Sequence, residues 1–441
     1  MSEANPSLLQ RVLSKACDIQ PEETRATLAS FSLVLVLMAA YYILRPLRDA
    51  MASDWTDAEV SWLWTFTFFF SVFAVSAYGT AISKIKFERL VPVVYSFFAA
   101  SFVLFYIGTQ ILQDRVLLDK SFYVWISVFS LFHISVFWSF MADTFSKPQA
   151  TRLFGFIAAG ASVGGILGPA LAAYLAHDMG TDSMLLVASG LLVLTIPIIR
   201  TLQSLKASAL HNAELSAGGK DFAYIGGNPL AGFAEFIKSP YLLGIGVFIL
   251  LYTSIGSFVY FELKNLLAEY DRETRSQIWA TMDLVVNSLT ILIAAFATGR
   301  IAKRMGLPFT LASVPVLVCG ALLVLAAAPM VSVVIALQII RRAGNYAISR
   351  PAREMLFTAV DRETRFKAKP VIDIVIYRGG DMLNAWAFTG LTQGLGLGMA
   401  AVSGVGAVIA LLWAATGVYL GRQFMAMNPK TDTAEAAETS G

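Results

Sequence analysis

Charge is scarce in this sequence: Asp, Glu, Lys and Arg make up 14% of its 441 residues, against about 25% in a soluble domain. A chain so poor in charge cannot cover its surface in water, and 57% of its residues are hydrophobic. Its mean hydropathy is +0.66, so most of the surface is expected to face lipid. Cysteine is nearly absent. Cys17 and Cys319 stand alone, which excludes a disulfide framework or a CxxC metal site. Three histidines and no HExxH leave no ligand set for metal catalysis. The one Gly-Lys pair, Gly219-Lys220, is followed by Asp221 and has Glu214 where a P-loop needs its first glycine. No catalytic, metal or cofactor site is expected, and no enzyme activity. The basic residues lie scattered through short loops rather than on one face, which excludes a nucleic-acid polymer as partner. The first 25 residues lack the apolar core of a signal peptide, so the first apolar run is expected to remain as an anchor.

Long apolar runs are what the sequence has instead. A spanning helix needs about 20 mostly apolar residues. Twelve such runs are present, at 26–49, 60–82, 91–112, 122–142, 152–176, 183–200, 241–262, 277–298, 309–328, 331–350, 370–392 and 397–420. With the N-terminus placed in the cytoplasm, loops and adjoining run ends on that side hold 23 of the 33 Lys and Arg. The opposite side, counted the same way and with Arg45 and Arg48 included, holds 7, and Arg341, Arg342 and Arg378 lie deeper within runs. That bias predicts a multi-pass inner-membrane protein with both termini cytoplasmic, its first partner the lipid bilayer. A polar stretch over 201–240 separates the sixth run from the seventh. The expected organisation is a cytoplasmic N-terminus (1–25), a six-helix bundle (26–200), a linker (201–240), a second six-helix bundle (241–421) and a cytoplasmic tail (422–441). The fold class is thus all-α integral membrane, with twelve helices in two repeats. Runs three, six, nine and twelve carry no ionisable residue in their interiors and are expected at the periphery, where charge is most costly.

Two loops repeat between the halves: Gly79, Lys84, Lys86 and Arg89 after run two, and Gly299, Arg300, Lys303, Arg304 and Gly306 after run eight. They resemble the Gly-x-x-x-Asp-Arg-x-Gly loop of the major facilitator transporters, with Lys303 in place of the aspartate. Run five is dense in glycine from Gly155 to Gly168-Pro169. Such spacing predicts close helix contact, and it is also similar to the Gly-Pro segment of facilitator exporters. The string Gly394, Gly396, Gly398 has no strand before it and reads as a tight turn.

Ionisable side chains inside runs mark the candidate site. Arg45 and Arg48 share a helix face with Tyr41 and Asp49. Two arginines beside one acid leave surplus positive charge suited to an anion; snorkelling to the headgroups is the alternative. In run eleven, Asp373, Tyr377, Asp381 and Asn384 fall on one helical stripe, and Arg378 reaches Asp381 at i+3. Paired Gly379 and Gly380 let a helix or ligand approach the backbone. Run ten offers Gln338, Arg341, Arg342 and Asn345. Run eight offers Asp283, as counter-ion to an arginine of run ten or eleven or as a titrating carboxylate. His133 reads as a packing residue.

The stretches Tyr42–Asp49 (YILRPLRD), WSFMADTFSKPQATRLFG ending at Gly155, and Phe366–Asp373 (FKAKPVID) with Arg378-Gly379-Gly380 resemble the ATP/ADP translocase family. That family exchanges nucleotides and is related to the major facilitators. The resemblance places substrate-handling basic residues at Arg48 and Arg378. The family's acidic positions fall on Val124 and Tyr260 here, with Glu262 two residues beyond the latter. Together these readings predict a secondary transporter of an organic anion: a nucleotide or other phosphorylated metabolite. Substrate binding is assigned to Arg45, Arg48, Arg341, Asn345, Tyr377 and Arg378; coupling or salt-bridge roles go to Asp49, Asp283, Asp373 and Asp381, with protons as the coupling ion. Two alternatives stay open. One is a proton-coupled exporter of amphipathic compounds that uses Asp283 or Asp381; the other is a non-transporting membrane partner whose in-span charges are all paired.

Overall fold

Lipid offers a backbone no water to bond, so apolar runs that enter it close their hydrogen bonds as helices. The computed structural model describes residues 19–84, 87–210, 236–293, 299–360, 368 and 371–427, and every described element is helical. We number the helices α1 (Thr24–Met51), α2 (Asp57–Lys84), α3 (Phe87–Ile111), α4 (Val116–Thr144), α5 (Lys147–Met179) and α6 (Met184–Ser208). The second half supplies α7 (Pro240–Leu266), α8 (Arg272–Ile293), α9 (Gly299–Ala327), α10 (Val331–Gly344), α11 (Tyr377–Thr389) and α12 (Met399–Met427). This is the expected all-α integral membrane fold of twelve helices in two six-helix repeats. Most of the 201–240 linker, both termini and Lys86 lie outside the described residues, as do the side chains of Arg300, Lys303, Arg304 and Asp373.

Local chemistry sets the helix starts. Ser146 and Gln149 form a capping box at α5. Ser239 accepts the Leu242 amide at α7, with Pro240 in the first turn. Asp271 caps α8, accepting from the Thr274 amide at 2.9 Å and hydroxyl at 2.6 Å. Those two bonds hold its exposed carboxyl below the usual value. In α9 the helix breaks at Gly306, whose φ of 72° a side chain rarely adopts. Gly396, at φ 68°, forms the tight turn before α12.

Among the described residues, nine helices meet the length and apolarity needed to cross a membrane. Runs two, ten and eleven do not. For run two the reason is coverage, since its side chains from 75 onward are not described. Run ten carries Arg341 and Arg342 and passes from α10 through a π-helical segment, Asn345–Ser349, into a short helix, Arg350–Leu356. Run eleven is bounded by π-helical segments, Val371–Ile376 and Gly390–Gly394. Such irregular turns concentrate at functional sites.

The helices form two compact units. Unit 1 comprises 1–52, 69–226 and 270–284, and unit 2 comprises 53–68, 227–269 and 285–441. Helices α2 and α8 are therefore each divided between units. In unit 1, α1 packs against α4, α5 and α6, and α3 packs against α4 and α6. The α1–α5 contact is a backbone seam. A Cβ at Gly160, Gly164 or Gly168 would lie 2.5, 2.2 or 2.7 Å from the carbonyl oxygen of Phe31, Leu35 or Ala39. Two rows at i, i+4, i+8 thus meet without side chains between them, which is how helices associate closely in lipid. Ion pairs fasten the helix ends: Arg152 to Glu23 at 2.8 Å and Lys206 to Asp143 at 2.7 Å.

In unit 2, α9 and α12 repeat this device, with Gly421 so close to Pro308 that a Cβ would lie 2.5 Å away. The captured first turns of α2 are held by a buried hub on α7. Lys264, 1% exposed, meets Asp57 Oδ1 at 2.9 Å, donates to the Trp55 carbonyl at 2.9 Å and to Asn265 Oδ1 at 2.6 Å. Thr392 donates to the other Asp57 oxygen at 3.1 Å. Farther along α2, Ser61 bonds Thr389 and Trp386 donates to Thr65.

Two predictions follow the packing. Replacing Gly164 by Ala should destabilise the detergent-solubilised protein by about 1–3 kcal/mol, the range for overpacking. Gly190→Ala, which meets nothing within 4 Å, should be neutral; equal thermal unfolding curves for the two would reject the seam. At the hub, Lys264→Met strands a buried carboxylate and should cost about 3–5 kcal/mol, whereas Lys264→Met combined with Asp57→Leu should recover much of that loss. A double-mutant cycle on thermal unfolding checks this, and additive losses would count against a coupled pair.

Candidate functional site

Apart from the Lys264 hub, a polar cluster stands out in each unit among the described residues. In unit 1 it gathers on α1, whose last three turns carry Tyr41, Tyr42, Arg45, Arg48 and Asp49. Arg48 grips Asp49 Oδ1 through Nε at 2.9 Å and Nη2 at 2.6 Å. It also donates to the Ser127 hydroxyl of α4 at 3.3 Å and lies 5.5 Å from the Tyr123 ring centre. Arg45 faces the other Asp49 oxygen at 3.6 Å and Asp283 Oδ1 of α8 at 3.6 Å. Both carboxylates are 1% exposed, and the arginines 15% and 14%. His133 stacks on Tyr41 at 4.7 Å and bonds the Phe129 carbonyl through Nδ1, a packing role.

This geometry corrects one expectation. Arg45 and Arg48 do not carry surplus charge, because Asp283 supplies a second acid. Asp283 lies 3.6 Å from Arg45, with which the first half of α8 shares unit 1. Sequence spacing holds no signal for that pairing, which joins residues 238 positions apart. The same first half is tied further by Arg272 to Asp119 at 2.9 Å and by Arg275 to the Ala50 carbonyl.

In unit 2 the cluster forms where α7, α10 and α11 meet. Arg341 directs Nε and Nη2 at Gln338 Oε1, 2.9 and 2.7 Å away, and lies 5.6 Å from the Tyr252 ring centre. Its Nη1 reaches α7 at Gly256, where a Cβ would be 3.0 Å away. Tyr252 also neighbours Tyr377 of α11, ring centres 6.2 Å apart. Asn384 donates to Thr253 at 3.1 Å and accepts from Ser254 at 2.8 Å. Gly380 seats the Thr253 hydroxyl, 2.7 Å from where its Cβ would be. Arg342 and Asn345, which follow Arg341 in sequence, are also buried.

The expected stripe on run eleven is split. Tyr377, Gly380 and Asn384 face α7, while Arg378 and Asp381 pair at 3.7 Å on a more open side, 21% and 23% exposed. Asp373 falls in the π-helical segment, and its side chain lies outside the described residues. Sequence reasoning missed Tyr252, Gly256 and the Lys264–Asp57 hub. The one local sign of the Arg341 site was the i, i+3 spacing of Gln338 and Arg341.

One difference in charge separates the clusters. In unit 1 two arginines meet two carboxylates. In unit 2 Arg341 is 6% exposed and, among the described residues, meets an amide, an aromatic face and no carboxylate. A buried guanidinium balanced only by neutral groups is costly in a membrane unless an anion or a water-filled cavity reaches it.

Comparison with known proteins agrees with the fold. No curated protein matches the sequence. A bacterial homologue of the iron transporter ferroportin in an inward-facing state superposes with a TM-score of 0.64 at 13% identity, over 91% of this chain and 98% of that one. The nucleoside transporter NupG gives 0.59 at 14%, over 92% and 99%. A bacterial homologue of the human lysosomal transporter Spinster, inward-facing and unoccupied, gives 0.57 at 12%, over 93% and 99%. The sequence profile of the Major Facilitator Superfamily matches residues 30–352, most of the chain, and with two polar clusters set in a twelve-helix frame this protein belongs to that superfamily and is a membrane transporter.

Proposed function

We propose that the protein is a secondary transporter of an organic anion, a nucleotide or other phosphorylated metabolite, with Arg341 as the anchoring cation. The observation that carries this reading is the burial of Arg341 without a carboxylate among the described residues. Gln338 fixes two of its nitrogens in one orientation, and Gly256 clears space at the third. A planar fork presented this way suits a phosphate or carboxylate. Tyr377 and Asn345 complete the polar wall.

The resemblance to the ATP/ADP translocases implies substrate-handling roles for Arg48 and Arg378 as well. Each is partly exposed and held by an acid, Asp49 or Asp381, so an incoming phosphate exchanges for a carboxylate rather than filling an empty site. That exchange provides coupling. An anion that draws Arg45 from Asp283 removes one positive partner from that buried carboxylate, and a proton on Asp283 offsets the loss. Protons then accompany the anion.

Three outcomes are expected in proteoliposomes loaded for nucleotide and sugar-phosphate uptake. Arg341→Gln should raise the half-saturating concentration roughly ten- to a hundred-fold, the loss typical of hydrogen bonds to a charged group. Arg341→Lys should fall between Gln and wild type, because it keeps the charge and loses the fork; the same order holds at Arg48 and Arg378. Gln variants at all three sites with wild-type affinity for an anion would remove the assignment. Uptake by the wild type should rise as pH falls, and Asp283→Asn should flatten that dependence. A pH profile unchanged by Asp283→Asn would exclude it as the proton carrier.

A further inference from the structure

Away from both polar clusters, a groove of about 710 Å³ runs along unit 1 between α3 and α6. The two helices are antiparallel and packed together. Arg89 stands in the first turn of α3, and Arg200 and Gln203 stand near the end of α6, so these polar residues share one end of the groove. Val93 and Phe97 line it farther along α3 and are 60% and 56% exposed. Arg89 to Phe97 spans about 12 Å at 1.5 Å per residue. The groove is thus cationic at the end of the helices and apolar toward their middle.

This face belongs to the bilayer. Leu104 and Ile111 farther along α3, and Val193 and Leu194 on α6, are also widely exposed, as expected of runs without interior charge. Snorkelling would explain one arginine, but here two arginines from different helices line one groove. Neither forms an ion pair, and no acid lines the groove, among the described residues. In sequence, Lys84 and Lys86 precede Arg89, on the side that the loop charges assign to the cytoplasm.

We propose that this groove binds an anionic phospholipid of that leaflet, its phosphate between Arg89 and Arg200 and an acyl chain along Val93 and Phe97. Basic pockets between transmembrane helices take such headgroups. The charge selects the class: a phosphatidylglycerol diester meets two guanidinium groups, whereas the ammonium of phosphatidylethanolamine finds no acid there. Gln203 and Ser96 offer neutral hydrogen bonds to a glycerol headgroup.

The test uses the purified full chain, stripped of lipid by detergent exchange and titrated with phosphatidylglycerol or phosphatidylethanolamine of matched acyl chains, with occupancy read by native mass spectrometry. Wild type should bind phosphatidylglycerol roughly ten- to thirty-fold more tightly, as two basic contacts near an anionic surface imply. Arg89→Ala with Arg200→Ala should bring it to the phosphatidylethanolamine level. Arg89→Lys with Arg200→Lys should keep most of the preference, and Arg422→Ala, at the exposed end of α12, should leave it unchanged. The single Arg200→Gln gives the same result at smaller amplitude and covers a double variant that fails to fold. Equal binding of the two lipids by wild type would overturn the proposal. So would an undiminished preference in the double-alanine form, or displacement of the lipid by millimolar inorganic phosphate, which would mark a phosphate site instead.

Discussion

Hydrocarbon does not hydrate charge, and the placement of ionisable side chains in this transporter follows from that. An arginine or aspartate at the centre of a span costs several kilocalories per mole unless it meets water or a partner. Asp49 and Asp283 are both buried, and each lies within reach of Arg45, with Arg48 closing the group. Lys264 is buried as completely, with Asp57 and two further oxygens around its ammonium. Arg341 departs from this rule among the described residues, and a departure from a costly rule is where a ligand belongs.

The same constraint explains how the helices are fastened. Apolar side chains gain little from leaving lipid for one another, so association rests on close backbone approach and on polar contacts. The α1–α5 seam supplies the first through Gly160, Gly164 and Gly168. The second appears at the helix ends, where Arg152 meets Glu23, Lys206 meets Asp143 and Lys264 meets Asp57. Asp143 and Arg152 both lie in the segment WSFMADTFSKPQATRLFG that resembles the nucleotide transporters. Their partners give that segment a structural reason for its charges, independent of substrate.

Dividing α2 and α8 between the units has a chemical consequence. The first half of α8 brings Asp283 to Arg45, and the first turns of α2 bring Asp57 to Lys264. Each of these two ion pairs thus joins residues from opposite halves of the sequence within one unit. Ion pairs of this kind can be exchanged for contacts with a substrate at little net change in charge, which a carrier requires if it is to release what it binds.

The sequence by itself determined the number and length of the helices, because each apolar run must satisfy its backbone internally once in lipid. It also determined which runs bear ionisable residues, the close approach of the glycine-rich helix and the turn at Gly396, all of which follow from short-range pattern and side-chain size. Only the tertiary structure decided the partners. The pairing of Asp283 with Arg45 and the hub at Lys264 join residues more than 200 positions apart, and periodicity carries no information about such separations. The π-helical segments at Asn345–Ser349 and Val371–Ile376 were equally hidden, since a 3.6-residue period assumes an unbroken α-helix. Within α11 it is Asn384 and Gly380, rather than Asp381, that lie against α7. The charge of the candidate site therefore depended on which helix ends meet, and packing between distant segments fixes that.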